Sequence, residues 1–340
     1  MSQSNDQPLV GISISDSNEL EALGFGQEHL TEMMLAVART VLRLDDDTTG
    51  LVYGGDLRAD GFTHRLFDIA LSERAAQSAD STAGPKEPPR RIYSYLAWPN
   101  YLDLKKSDQA RMINACQFLR VTPTDAGFDK VPDDRSKADQ QDPPAALVAS
   151  RCLTRMRELS TQGGHPTFEG DPAPPIRARI ILGGKTGGYS SFMPGIFEEF
   201  LIARETTAEQ RHPVPVYVVG AFGGAAGQLA QALLASEQGQ PLTLDDQLQK
   251  QTDANENTLQ TLVAAYAARK DLPQPTERYA ALGAAVDAIG QQIRSPDVET
   301  LDNGLTPADN LRLLQSRDTV EILRLLKTGL QTVLRSGPKN

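Results

Sequence analysis

The sequence predicts an α/β protein with a Rossmann-like, mostly parallel sheet, helices on both faces of that sheet and an all-helical C-terminal appendage. Three observations support this fold class. Short apolar segments with strand-like alternation are separated by segments of helical periodicity up to about residue 238. Several of these strand-like segments run directly into glycine-rich or small-residue loops. From about residue 242 onwards, apolar residues recur only at helical spacing.

The predicted strands begin with residues 8–15, where Val10, Ile12 and Ile14 alternate with glycine and serine, so that one strand face carries small residues. Further strand-like segments are 50–55, 91–98, 176–182 and 214–220. Helices are predicted between and after them at 30–44, 61–75, 145–159, 194–206 and 228–236. Strands and helices that alternate in this way favour βαβ units with parallel pairing.

Two proline-containing polar stretches, 78–89 and 122–144, are predicted as exposed loops. The sheet should end near residue 238, which divides the chain into a Rossmann-like domain, 1–240, and a helical region, 241–340. We expect the helical region to pack on the sheet, on a second copy of the chain, or on both.

Composition limits the classes of function. A formal net charge of −10 argues against general nucleic-acid binding, which depends on neutralising many phosphates. The only cysteines, Cys116 and Cys152, suit a reducing compartment, and no apolar run reaches the length of about 18 residues that a membrane span needs. We therefore expect a soluble, cytoplasmic protein with neither a membrane nor a nucleic acid as partner.

Basic residues outnumber acidic ones between Arg151 and Lys185, against the sign of the whole chain. We expect Lys185 and Arg151 to neutralise phosphate. A solvated helix face with strand-edge arginines explains the same charge pattern equally well.

Small residues and glycines follow four predicted strands, in the segments SISDS, YGGDLRADG, GGKTGGYSSFMPG and GAFGG. Ligands of an open parallel sheet bind beyond the carboxyl ends of the strands, and glycine lets the backbone approach them closely. Each loop alone is typical of a tight turn, but four together favour one shared pocket. The candidate ligand-binding residues in these loops are Ser15, Asp16, Ser17, Gly54, Gly55, Asp56, Gly183, Gly184, Lys185, Thr186, Gly187, Gly188, Pro194, Gly195, Gly223 and Gly224.

Neither common phosphate-binding fingerprint is present in these loops. An ATPase P-loop ending in Lys185 and Thr186 would need glycine at position 179, which is Arg179, and a helix directly after the threonine. The dinucleotide fingerprint G-x-G-x-x-G is broken by Phe222 in its nearest candidate, 220–227. The sequence therefore indicates a different kind of ligand loop.

The order of these motifs resembles the SLOG superfamily, which includes the LOG phosphoribohydrolases and the DNA-processing protein Smf/DprA. The stretches GISISDS, YGGDLRADGFT and ILGGKTGGYSSFMPGIFEE are similar, in this order, to those of SLOG groups from bacterial conflict systems. The resemblance covers roughly residues 8–238. It implies a Rossmann-like fold and a nucleotide-derived ligand.

The resemblance also implies site residues. The acidic pair of the LOG motif PGGxGTxxEE falls on Glu198 and Glu199. The LOG catalytic arginine falls on Arg151 or Arg155; if it is Arg151, Arg155 is a candidate ligand-binding residue. A carboxylate and a cation of this kind serve N-glycosidic cleavage of a phosphorylated nucleoside. The PGGxGT run itself is missing, and two acids in the first turn of a helix also complement its dipole.

Two functions remain open at this level. The first is a sensor that binds a ligand related to NAD or ADP-ribose in a conflict or defence system, with an effector protein as partner and possible homo-oligomerisation. The alternative is a LOG-like hydrolase that cleaves the N-glycosidic bond of a nucleoside monophosphate or related nucleotide. The four histidines lack ligand spacing, so neither a metal site nor a cofactor is predicted.

Overall fold

One parallel sheet organises the fold in a computed structural model that describes residues 7–44, 48–55, 57, 61–80, 91–129, 144–164, 173–206, 212–235, 242–251 and 253–335. Its strands are β1 (Leu9–Ser15), β2 (Gly50–Gly54), β3 (Ile92–Ala97), β4 (Cys116–Val121), β5 (Ile176–Gly183) and β6 (Val216–Val219). Their order is β4-β3-β2-β1-β5-β6, and each neighbouring pair is parallel. The predicted Rossmann-like sheet is confirmed.

The edge strand β4 is an addition to the five strands predicted from sequence. It carries Gln117 and Arg120 between apolar residues and is only partly buried, so its short segment has a weaker strand pattern than the others. The loops predicted at 78–89 and 122–144 lie mostly outside the described residues. Residues 78–80, at the start of the first, belong to a helix instead.

Helices cover both faces of the sheet, as predicted. Those described are α1 (Gln27–Leu42), α2 (Phe62–Asp80), α3 (Lys106–Met112), α4 (Ala145–Gln162), α5 (Gly195–Arg204), α6 (Gly224–Leu234), α7 (Leu244–Gln249), α8 (Asp253–Ala267), α9 (Pro275–Arg294), α10 (Pro307–Gln315) and α11 (Thr319–Arg335). Apolar residues of α1, α2 and α11 share one buried cluster with one sheet face. Those of α4, α5, α6, α8 and α9 share a second cluster with the opposite face.

The C-terminal helices pack directly on the sheet and its helices. Leu326 of α11 lies in the cluster on the α1 side, whereas Leu282 of α9 lies in the cluster on the α5 and α6 side. Asn303 covers the edge of β6, where its Nδ2 donates to the carbonyl of Val216 at 3.0 Å. The helical region therefore shares both apolar cores with the sheet and closes one of its edges.

The small-residue face of β1 accommodates a buried arginine. Arg179 of β5 is the register partner of Gly11, and a Cβ on Gly11 would lie 3.3 Å from the guanidinium carbon of Arg179. Two residues further along the same face of β1, Ser13 Oγ accepts a hydrogen bond from Arg179 Nη1 at 2.9 Å. The alternation of β1 thus makes room for a cation inside the sheet layer.

Replacing Leu326 by Ala should lower the free energy of unfolding by about 2 to 5 kcal/mol, because the side chain is buried in the core where α11 packs against α1 and β5. Urea unfolding measures this loss, with Val320→Ala as the matched control on the same helix. Val320 is 74% exposed, so its truncation should change little. A separate unfolding transition for the C-terminal helices, or equal effects of the two variants, would contradict the shared core.

Candidate functional site

The carboxyl ends of β1 and β5 meet where the chain reverses direction across the sheet. From β1 the chain continues through β2 and β3 to β4 at one edge, and then crosses back to β5 and β6 on the other side. Ser15 at the end of β1 is the register partner of Gly183 at the end of β5. Such a switch point opens a crevice that holds the ligand in Rossmann-like folds.

The four predicted loops follow β2, β1, β5 and β6, which are consecutive neighbours in the sheet. All these strands run in the same direction, so the described residues that follow them lie side by side at one edge of the sheet. The structure therefore brings the described parts of the predicted loops together. The loops differ in how many of their hydrogen-bonding groups are left for a ligand.

The loop after β5 is fastened to the end of β1. Gly183 and Gly184 have left-handed φ angles of 63° and 100°, which glycine adopts without strain. The N–H of Gly184 donates to the Ser15 carbonyl at 2.9 Å, and the N–H of Lys185 donates to Ser15 Oγ at 3.2 Å. The start of the loop is thus fixed over the crevice.

Beyond that point the loop carries hydrogen-bond donors without partners. Among the described residues, neither the Lys185 ammonium, the Thr186 hydroxyl, nor the N–H groups of Thr186 and Gly187 have a hydrogen-bond or ion-pair partner. These three residues are half-buried at the crevice. Two free N–H groups on residues next to an ammonium form a set of donors that suits an anion.

The glycines after β6 have their donors already occupied. The N–H of Gly224 donates to Glu19 Oε2 at 3.0 Å, and the N–H of Ala225 donates to the Gly184 carbonyl at 3.0 Å. A Cβ on Gly224 would overlap the Gly184 carbonyl oxygen. Gly223 and Gly224 therefore allow the loops after β5 and β6 to pack closely. The Glu19 carboxylate lies at the start of α6.

The small residues after β1 bond mainly within the protein. Asp16 Oδ1 accepts from Gln27 Nε2 at 2.9 Å, and Ser17 Oγ accepts from the N–H of Glu19 at 3.4 Å. Ser15 Oγ accepts from the backbone N–H of Lys185, as described above. These side chains shape the crevice from the β1 side.

The glycines after β2 are required by packing. A Cβ on Gly54 would lie 2.9 Å from Met156 Cε, and one on Gly55 would overlap the Leu96 side chain. Gly54 also faces Glu199, whose Oε1 lies 4.0 Å from that Cβ position. Asp56, the remaining candidate of this loop, lies outside the described residues.

The acidic pair begins α5 but is buried beneath the crevice. Glu198 is fully buried; one carboxylate oxygen accepts from Thr154 Oγ1 at 2.7 Å and the other from Arg157. Pro194 precedes α5, and a Cβ on Gly195 would lie 2.7 Å from Arg157 Nη2. Gly195 is therefore needed for the Arg157 guanidinium to reach Glu198.

Glu199 forms the second buried ion pair. Its Oε1 lies 3.5 Å from Nη1 of Arg179, and its side chain keeps 11% exposure. Arg179 also donates to Thr161 Oγ1 at 2.6 Å. Burial lowers the pKa of Arg179, and the Glu199 carboxylate opposes that shift.

Arg151 and Arg155 do not contact the acidic pair. Both bind Glu158, at 2.9 Å and 3.0 Å, on the outer side of α4. The cations beside the acidic pair are instead Arg157 and Arg179, which the sequence analysis did not assign to the site. A signal was available for Arg179, since it interrupts the otherwise apolar strand IRARIIL opposite the small-residue face of β1.

A six-stranded parallel sheet with glycine-rich loops at its switch point defines an α/β protein of the Rossmann-like class. The chain belongs to the SLOG cluster2 family, whose family model matches residues 4–313. The match extends beyond the sheet into α7, α8, α9 and most of α10. No curated protein and no solved structure matches the chain.

No cluster of three or more His, Cys, Asp or Glu side chains in the described ranges has the arrangement of a metal site. Within the same ranges, the helices are too short or too polar to cross a membrane.

Breaking the buried pair of Glu198 and Arg157 should destabilise the fold. Glu198→Gln and Arg157→Met each leave one buried charge without its partner, and we expect each to cost about 3 to 5 kcal/mol. The double variant should cost less than the sum, because no unpaired charge remains. Urea unfolding of the three variants measures the coupling.

The control for these three variants is Glu28→Gln. It removes a carboxylate on a side chain that is 71% exposed and should leave stability nearly unchanged. Additive effects of Glu198→Gln and Arg157→Met would show that the two charges do not depend on each other.

Proposed function

We propose that the chain binds a nucleotide-derived ligand, of the NAD or ADP-ribose type, in the crevice between β1 and β5. The observation that carries this proposal is the set of free donors at Lys185, Thr186 and Gly187 at the switch point of the sheet. Membership in the SLOG cluster2 family supports it, because the superfamily resemblance implies such a ligand.

The charge distribution favours a phosphate at this position. The chain has a formal net charge of −10, and the buried arginines Arg157 and Arg179 are already matched by the two carboxylates of α5. The ammonium of Lys185 is not neutralised by any described residue. A phosphate held by Lys185 and by backbone N–H groups would supply the missing negative charge.

The same geometry favours a sensor over a hydrolase. N-glycosidic cleavage needs a carboxylate that reaches the ribose or an attacking water, whereas Glu198 is fully buried with both oxygens hydrogen-bonded. Glu199 keeps slight exposure beside Gly54 but faces Arg179. We therefore propose ligand sensing in a conflict or defence system as the function.

The proposal includes a cytoplasmic location and an effector protein as partner. Cys116 and Cys152 are both buried, and neither forms a disulfide with a described residue, which is compatible with a reducing compartment. Burial raises the pKa of Cys152 to about 12, so its thiol remains protonated and unreactive at neutral pH.

Thermal unfolding in the presence of candidate ligands tests the binding proposal. We expect NAD, ADP-ribose, a cyclic ADP-ribose or a nucleoside monophosphate to raise the melting temperature, because a ligand that binds only the folded state stabilises it. No shift with any of these compounds at millimolar concentration would contradict the proposal.

Lys185→Ala should weaken the binding of the ligand identified in this way by about 10- to 150-fold, the equivalent of one charge-assisted hydrogen bond. The melting temperature of the free protein should not change, since the ammonium has no partner among the described residues. Isothermal titration calorimetry measures both variants, with Lys106→Ala on the exposed surface of α3 as the control. Equal affinities of the two variants would exclude Lys185 from the site.

A further inference from the structure

We infer that the C-terminal helices complete the ligand site, and that Gln251 is the residue that positions its anion-binding donors. This inference rests on the proposed function. It adds a residue far from the glycine loops in sequence, and it gives a role to the helical region that follows the sheet.

Gln251, directly after α7, bridges the backbone of the loop on both sides of Gly187. Its Nε2 donates to the Thr186 carbonyl at 3.0 Å, and its Oε1 accepts from the N–H of Gly188 at 3.3 Å. The same Nε2 donates to the Gln247 carbonyl at 3.1 Å, which fixes the side chain to α7. The carboxamide of a glutamine carries both a donor and an acceptor. It can therefore bond the Thr186 carbonyl and the Gly188 N–H at the same time.

The bridge determines which loop donors remain free. Gln251 uses the carbonyl of Thr186 and the N–H of Gly188, and it leaves the N–H groups of Thr186 and Gly187 unpaired. It therefore holds the loop in a shape that presents two adjacent donors next to Lys185.

The loop needs support from outside because it has little of its own. In the described part of the chain, no backbone–backbone hydrogen bond joins any two of residues 185–193. Gly187 and Gly188 also make the free chain flexible, so that ordering this segment costs conformational entropy. Contacts from other elements must offset that cost.

The far end of the loop is held by the same helical region. The Tyr279 hydroxyl of α9 donates to the Phe192 carbonyl at 3.3 Å, and the rings of Phe192 and Tyr266 meet edge to face at 4.8 Å. Tyr266 also bonds Ser150 of α4 at 3.0 Å, and Ser150 bonds Ser191 at 3.1 Å. Thus α7, α8 and α9 contact the loop at both ends.

Hydrogen exchange of the ligand-free protein tests the positioning role. In Gln251→Ala, the backbone amides of Lys185 and Gly188 should exchange about tenfold faster than in wild type, because Gly188 loses its acceptor and the loop that presents the Lys185 N–H to Ser15 loses both bonds from Gln251. The control is Gln260→Ala, which removes an exposed glutamine of α8 whose side chain bonds Glu256 one helical turn earlier and should leave the loop unchanged. Equal exchange in the two variants would overturn the inference whether or not a ligand is known.

The affinity for ADP-ribose gives a second test of the inference. If it stabilises wild type, Gln251→Ala should weaken its affinity about tenfold or more while Gln260→Ala should not. Wild-type affinity in Gln251→Ala would overturn the inference and leave the proposed function standing. If neither ADP-ribose nor another compound of the ligand panel binds wild type, the proposed function fails, and the exchange result alone decides whether Gln251 orders the loop.

Discussion

The parallel pairing of β1 with β5 is the constraint on which the rest of the structure depends. It joins two strands that are far apart in sequence and places Ser15 beside Gly183 at the carboxyl edge. The same pairing sets Arg179 against Gly11, so the small residues of β1 are needed both for the sheet interior and for the crevice above it. Loss of this pairing would remove the switch point and the buried cation together.

Charge is distributed in two layers beneath and within the crevice. In the lower layer, Arg157 and Arg179 are neutralised by Glu198 and Glu199. In the upper layer, Lys185 has no partner among the described residues. The resemblance to the LOG enzymes implies a catalytic position for the acidic pair, whereas in the structure Glu198 is paired with Arg157 and Glu199 with Arg179.

The sequence predicted the architecture well because alternation and helical spacing are local signals. The small-residue face of β1 and the four glycine loops were both visible in the pattern of residues. The partners of the acidic pair were not visible in the sequence, because both sides of α4 carry polar residues. Arg151 and Glu158 lie on one side, and Thr154 and Arg157 lie on the other. Gln251 was also missed, since its bonds to the glycine loop cross more than 60 positions of sequence and belong to no local motif.

A single-turnover experiment tests most directly the claim that this crevice binds its ligand without cleaving it. Wild-type protein in excess is incubated with the ligand that stabilises it, and the bound nucleotide and any free base or nicotinamide are then quantified by chromatography. The account predicts that the ligand is recovered intact, because no free carboxylate of α5 reaches the ribose. Stoichiometric release of the base, abolished by Glu199→Gln, would contradict it and establish the hydrolase instead.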